Sequence, residues 1–151
     1  VAQHDVIALL EHDVLYPEDY IEKILSRPEP LPKGVYYQDS IYNLNLFGFW
    51  AHNRLLTSNC YASKALLKDL FENRIRHIEK GGRIDWDEPG RCMCDTMTST
   101  IHKYQGDHVS IDIRHGHNLT GMRYAKKGSD YLDKIDYWGY SKDILKELDI
   151  K

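Results

Sequence analysis

Apolar residues in this chain fall into short runs divided by polar punctuation. Val6-Ile7-Ala8-Leu9-Leu10 is one such run, and it stops abruptly at Glu11-His12-Asp13, the pattern of a buried strand whose C-terminal end meets solvent. Pro17 suits the first turn of a helix, Glu18 and Asp19 favour its positive end, and Tyr20, Ile21, Ile24 and Leu25 recur at helical spacing. The stretch from Arg27 to Pro32 holds three of the five prolines and forms a stiff connector within a domain. Val35 to Trp50, rich in Tyr, Leu, Phe and Ile around Gln38-Asp39-Ser40, predicts a hairpin or two linked strands, with a further strand over Arg54 to Tyr61. Ser63 caps a long helix that carries Ala65, Leu66, Leu70, Phe71, Ile75 and Ile78 on one side and ends at Gly81-Gly82. Ile84 to Gly90 reads as a polar-aromatic loop, Met93 to Tyr104 as helix and Val109 to Ile113 as strand, and Ser141 caps a last short helix. The expectation is an α/β fold: one domain over residues 1–151, with a small mixed sheet and packed helices.

Composition narrows the class without naming a function. The chain has 151 residues, 42% hydrophobic and 28% charged, as in a globular domain. Net charge is −3 with a pI near 6.2, and the cations are scattered, so nucleic acid is not an expected partner. No apolar run is long enough to span a bilayer and no leader pattern stands at the N-terminus. Cys60, Cys92 and Cys94 are odd in number and too few for a disulfide framework, which predicts a reducing, cytoplasmic location. Eleven tyrosines and three tryptophans supply amphipathic aromatic surface of the kind that lines sugar-binding clefts, cores and interfaces alike.

Three polar clusters are candidates for chemistry. Glu11 and Asp13 stand two residues apart at a strand end, where alternate side chains share a side and can converge on one hard cation, Mn²⁺ or Mg²⁺. Asp85-Trp86-Asp87-Glu88-Pro89-Gly90 gathers three carboxylates about one indole; Asp87 or Glu88 is the candidate to remove a hydroxyl proton, and Trp86 to stack on a sugar face. Arg114-His115-Gly116-His117 and Arg123 are dense in donors: His115 or His117 suits the metal, while Arg114 or Arg123 suits a departing diphosphate.

The segment Ile7-Ala8-Leu9-Leu10-Glu11-His12-Asp13-Val14-Leu15-Tyr16-Pro17-Glu18-Asp19-Tyr20 resembles the centre of family-2-like glycosyltransferases with the GT-A fold, where a strand ends in an Asp-x-Asp-type motif followed by an aromatic residue, a proline and a helix. The resemblance implies the acceptor-side half of such a fold, with Asp13 and Glu11 at the metal and a late histidine completing it. It further implies hexosyl transfer from a nucleotide-sugar donor to a hydroxyl acceptor. The nucleotide-binding half that precedes the motif in that fold has no counterpart here, so the expectation is a missing N-terminal half supplied elsewhere, or a homo-oligomer.

Two other readings stay open. Cys92 and Cys94, with His102, His108, His115 and His117, offer soft ligands for a zinc site or zinc hydrolase. A non-catalytic carbohydrate- or protein-binding module on a truncated transferase scaffold is the third.

Overall fold

A computed structural model describes residues 5–28, 30–52, 55–95, 99–114 and 131–150. The fold is mixed α/β, and the chain forms two compact units rather than one layer around a single sheet. The first takes the described residues of Val1–Leu10, Asp19–Asp39 and Leu55–Gln105; the second takes Glu11–Glu18 and the described residues of Ser40–Arg54 and Gly106–Lys151.

In the first unit, β1 (Val6–Leu9), β3 (Gly34–Gln38), β6 (Cys60–Ser63) and β7 (Thr100–Tyr104) form a sheet of order β1-β6-β3-β7. Its β1–β6 and β6–β3 pairs are antiparallel and its β3–β7 pair parallel. Strand β1 lies at the sheet edge and all four of its residues are half-buried, so its apolar run marks an edge rather than the buried strand expected. Val35, Tyr37, Cys60 and Ala62 form a core with Leu66, Leu67 and Leu70 of helix α2 (Lys64–Glu79). The start of α2 is fixed by Ser63, whose Oγ accepts from Leu66 N–H at 3.2 Å. Its end is a Schellman turn: Gly82 N–H donates to His77 O and Gly81 N–H to Ile78 O, with Gly81 at φ +82°, a conformation open to glycine. Tyr36 stacks between Tyr61 and His102 at 5.0 and 4.8 Å, and Arg27 lies over the Tyr104 ring. Helix α1 (Tyr20–Leu25) buries Tyr20 and Ile24.

The second unit has its own sheet, of order β2-β8-β4-β5, built from β2 (Val14–Leu15), β4 (Ile41–Asn45), β5 (Gly48–His52) and β8 (Ser110–Ile113). A two-stranded ribbon, β9 (Lys134–Ile135) with β10 (Gly139–Tyr140), leads into α3 (Ser141–Glu147). Leu44, Phe49, Ile111, Ile113, Ile135, Ile144 and Leu145 make the core. Strands β3 and β4 are consecutive but belong to different sheets; the hairpin is β4–β5, turning at Leu46-Phe47.

Three local expectations change. Helix over Met93 to Tyr104 gives way, at Thr100–Tyr104, to strand β7, where β-branched and aromatic residues meet a parallel partner. Ser141 is the first residue of α3 rather than its cap, and the last strand begins at Ser110. Among the described residues no helix is long and apolar enough to cross a membrane.

Candidate functional site

An acid cluster forms in the second unit where strand β8 passes the Glu11–Asp13 turn. Neither Glu11 nor Asp13 lies in a strand, so the turn, not strand alternation, sets their directions. The turn is held at both ends: Glu11 N–H donates to Tyr16 Oη at 2.9 Å, and Ile113 N–H donates to Asp13 O at 2.8 Å. Val14 then pairs with Asp112, so the turn leads straight to the Asp112 position of β8.

Asp112 sits between Ile111 and Ile113, whose side chains take the core face, so Asp112 and Arg114 share the opposite face. Asp112 is only 4% exposed. Arg114 Nη2 donates to Asp112 Oδ2, while Arg114 Nε donates to Asn43 Oδ1 at 3.0 Å, Asn43 being the β4 neighbour of Asp112 in register. Burial pushes the Asp112 carboxyl up to about 7; Arg114 opposes this, and the negative charges of Asp13 and Glu11 add to the rise. The Arg114 guanidinium thus serves Asp112 and Asn43, and burial together with two neighbouring negative charges disfavours the Asp112 carboxylate.

A second acidic element occupies the first unit, on the loop between α2 and β7. Arg74, a buried residue of α2, organises it. Its Nη1 donates to Asp87 O and its Nη2 to Glu88 O, both at 2.7 Å, and Nε and Nη2 grip Asp95, with Nη2 at 2.5 Å from Oδ2. Gly90 N–H adds a bond to Asp95 Oδ2 at 2.9 Å, and Tyr37 Oη donates to Pro89 O at 2.6 Å. Gly90 takes φ +82°, and a Cβ there would lie 3.0 Å from Ser99 Oγ, so both conformation and space ask for glycine. The loop is thus held through the carbonyls of Asp87, Glu88 and Pro89 and the N–H of Gly90.

On this frame Asp87 is exposed and Glu88 is 7% exposed. Glu88 Oε1 accepts from Arg91 Nη1 at 3.3 Å, whereas Oε2 is buried with no hydrogen-bond donor. Burial raises the Glu88 carboxyl above its usual range, the Asp87 charge adds to this and Arg91 opposes it. The Arg91 guanidinium lies 3.6 Å over the Trp86 ring, so one face of that indole is already taken.

Beside the loop, Cys92, Cys94 and Asp95 bring their ligand atoms within 4.8 Å of one another. No histidine joins them among the described residues: His102 stacks on Tyr36, and His108 of the second unit stacks on Tyr137. Burial pushes the Cys94 thiol up to about 12, with Cys92 and Asp95 adding to it. His115, His117 and Arg123 lie outside the described residues. Of the sequence candidates, Arg114 bonds Asp112, and Glu11 and Asp13 are near enough to act on it electrostatically, but among the described residues these three carboxylates do not form a group of ligand atoms within 4.8 Å; Asp87 and Glu88 share the Arg74-braced loop. Asp112 stands in the third sequence cluster, Ile111 to Arg123, but took no role there, although its signal is plain: an aspartate inside Ile-Asp-Ile, where a strand otherwise alternates toward a core. No protein family, curated protein or solved structure matches this chain.

Proposed function

We propose that the chain belongs to a metal-dependent glycosyltransferase that moves a hexose from a nucleoside diphosphate to a hydroxyl acceptor, and that Asp13, Glu11 and Asp112 hold Mn²⁺ or Mg²⁺. The observation that carries this reading is the pairing of β2 with β8, which brings the buried Asp112 near enough to the Glu11–Asp13 turn to feel both charges. Three carboxylates are the hard oxygen donors that such cations take, and the residues present fit the ion in kind. A bound divalent cation would neutralise charge on the departing diphosphate. The likeness of Ile7 to Tyr20 to the acid motif of GT-A transferases points the same way, and the site would be the acceptor-side half of that fold.

The chain's own residues supply the rest. Arg114 holds Asp112 and Asn43 holds Arg114, so the Asp112 carboxyl is oriented before any ligand arrives. Asp87 and Glu88, in the other unit, remain candidates for the acceptor's base on the sequence alone: Asp87 is exposed, and burial raises the Glu88 carboxyl above its usual range. His115 or His117 remains the candidate for a further ligand, and Arg123 for a contact to the diphosphate.

Binding of Mn²⁺ to the chain tests the reading, since the nucleotide-binding half has no counterpart here. Binding that is lost in Asp13→Asn and Asp112→Asn is the expected result. No Mn²⁺ binding, or binding that survives both substitutions, would remove the transferase reading in favour of a binding module. Where transfer is measurable, Asp87→Gln-like amide replacement is made as Asp87→Asn and Glu88→Gln. The variant of the true base should lose roughly 10²–10⁴ in rate at unchanged metal affinity.

A further inference from the structure

We propose that Cys92, Cys94 and Asp95, with Asp85 at the outer position, form a binding site for one Zn²⁺ ion that clasps the two ends of the Asp85–Asp95 loop. Three ligand atoms already lie within 4.8 Å of one another. Around a tetrahedral zinc, sulfur and oxygen ligands stand about 3.3–3.8 Å apart, so small side-chain adjustments complete the shell. Asp85 belongs to the same place. Its Oδ1 accepts from Met93 N–H at 3.2 Å, which ties it to the residue between the two cysteines, and the neighbouring Cys92 holds its carboxyl below the usual range.

The surroundings match what a thiolate-rich site needs. Asp95 Oδ2 is fixed by Arg74 and Gly90 N–H, while Oδ1 accepts from Arg74 Nε at 3.3 Å and faces the Cys94 sulfur at 3.6 Å, the arrangement of a ligand oriented by outer partners. Cys94 N–H points at Cys92 Sγ at 3.4 Å, a donor that favours thiolate. Two thiolates, Asp95 and Asp85 carry four negative charges, of which Zn²⁺ and the buried Arg74 offset three, and the remaining one falls on the side of the exposed Asp85. Cys92 is buried, Cys94 half-buried and Asp85 exposed, which gives the ion a path from solvent. On binding, two S–H bonds break, two Zn–S bonds form and two protons leave to solvent; no redox partner is involved. The inference is independent of the transferase reading, because it uses other residues and softer donors.

Titration of the full chain with Co²⁺ at pH 8, under a non-chelating reductant, tests it. The expected result is thiolate-to-cobalt charge-transfer absorption that saturates at one equivalent, releases two protons per ion, is abolished by Zn²⁺, and persists in Asp13→Asn. Cys94→Ser, at the less buried cysteine, should eliminate the band, and Asp85→Asn should weaken cobalt binding at least tenfold. Absence of the band in the unmodified chain overturns the proposal whatever the variants do. Its persistence in Cys94→Ser, or its loss in Asp13→Asn with the fold intact by circular dichroism, overturns it equally.

Discussion

Asp95 and Asp112 are both buried aspartates paired with an arginine, yet their settings differ. Asp95, fully buried, receives Arg74 through two nitrogens and Gly90 through its backbone, and that arginine goes on to bind the Asp87 and Glu88 carbonyls. Asp112 receives Arg114, which also serves Asn43, and it faces the charges of Asp13 and Glu11. Donors exceed charge at the first and charge exceeds donors at the second. A carboxylate of the first kind fixes a loop, whereas one of the second kind holds a proton that a cation can displace.

Removing Asp95 should therefore be the costlier change. Asp95→Ala leaves a buried guanidinium unpaired and should cost about 3–5 kcal/mol in urea unfolding. A loss below about 1 kcal/mol would show that Arg74 is not the keystone of the loop. Asp112 should act through pH instead. Its folded pKa of about 7 exceeds the unfolded value, so the native state keeps a proton that the unfolded chain has lost, and stability falls as pH rises from about 4 to about 7. The contribution is at most about 1.4 kcal/mol per pH unit across that window. Asp112→Asn should thus gain stability over the parent between pH 5 and pH 8; a difference that does not change with pH would contradict the assignment. The smallest effect is expected at Ser63→Ala, where loss of the α2 cap should cost about 1 kcal/mol at every pH, read from the same unfolding curves.

Much of the local order was legible. Ser63 and Gly81-Gly82 bounded α2 correctly, because capping is local chemistry between near neighbours. The division into two sheets was not, since β3 and β4 are consecutive yet pair with β6 and β7 in one case and with β5 and β8 in the other. Such pairings join residues far apart in sequence and leave no periodic trace. The same holds for Arg74, a charge on a helix otherwise read by its apolar side, whose role appears only when Asp87, Glu88 and Asp95 fold around it. At the candidate site, Glu11 and Asp13 were visible as a motif, but Asp112 joins them through the β2–β8 register.

The most direct test of the central claim is Mn²⁺ affinity as a function of pH, measured by calorimetry on the parent chain, Asp13→Asn and Asp19→Asn. A cation that displaces the Asp112 proton should bind about tenfold more tightly for each pH unit from 5.5 toward 7, then level off above it. Asp13→Asn should weaken it by tenfold or more, while Asp19→Asn, whose carboxylate lies 3.8 Å from Lys23 Nζ, should change it by less than about twofold. An affinity that is flat across this pH range, or that falls equally in both variants, would contradict a metal site built on Asp13 and Asp112.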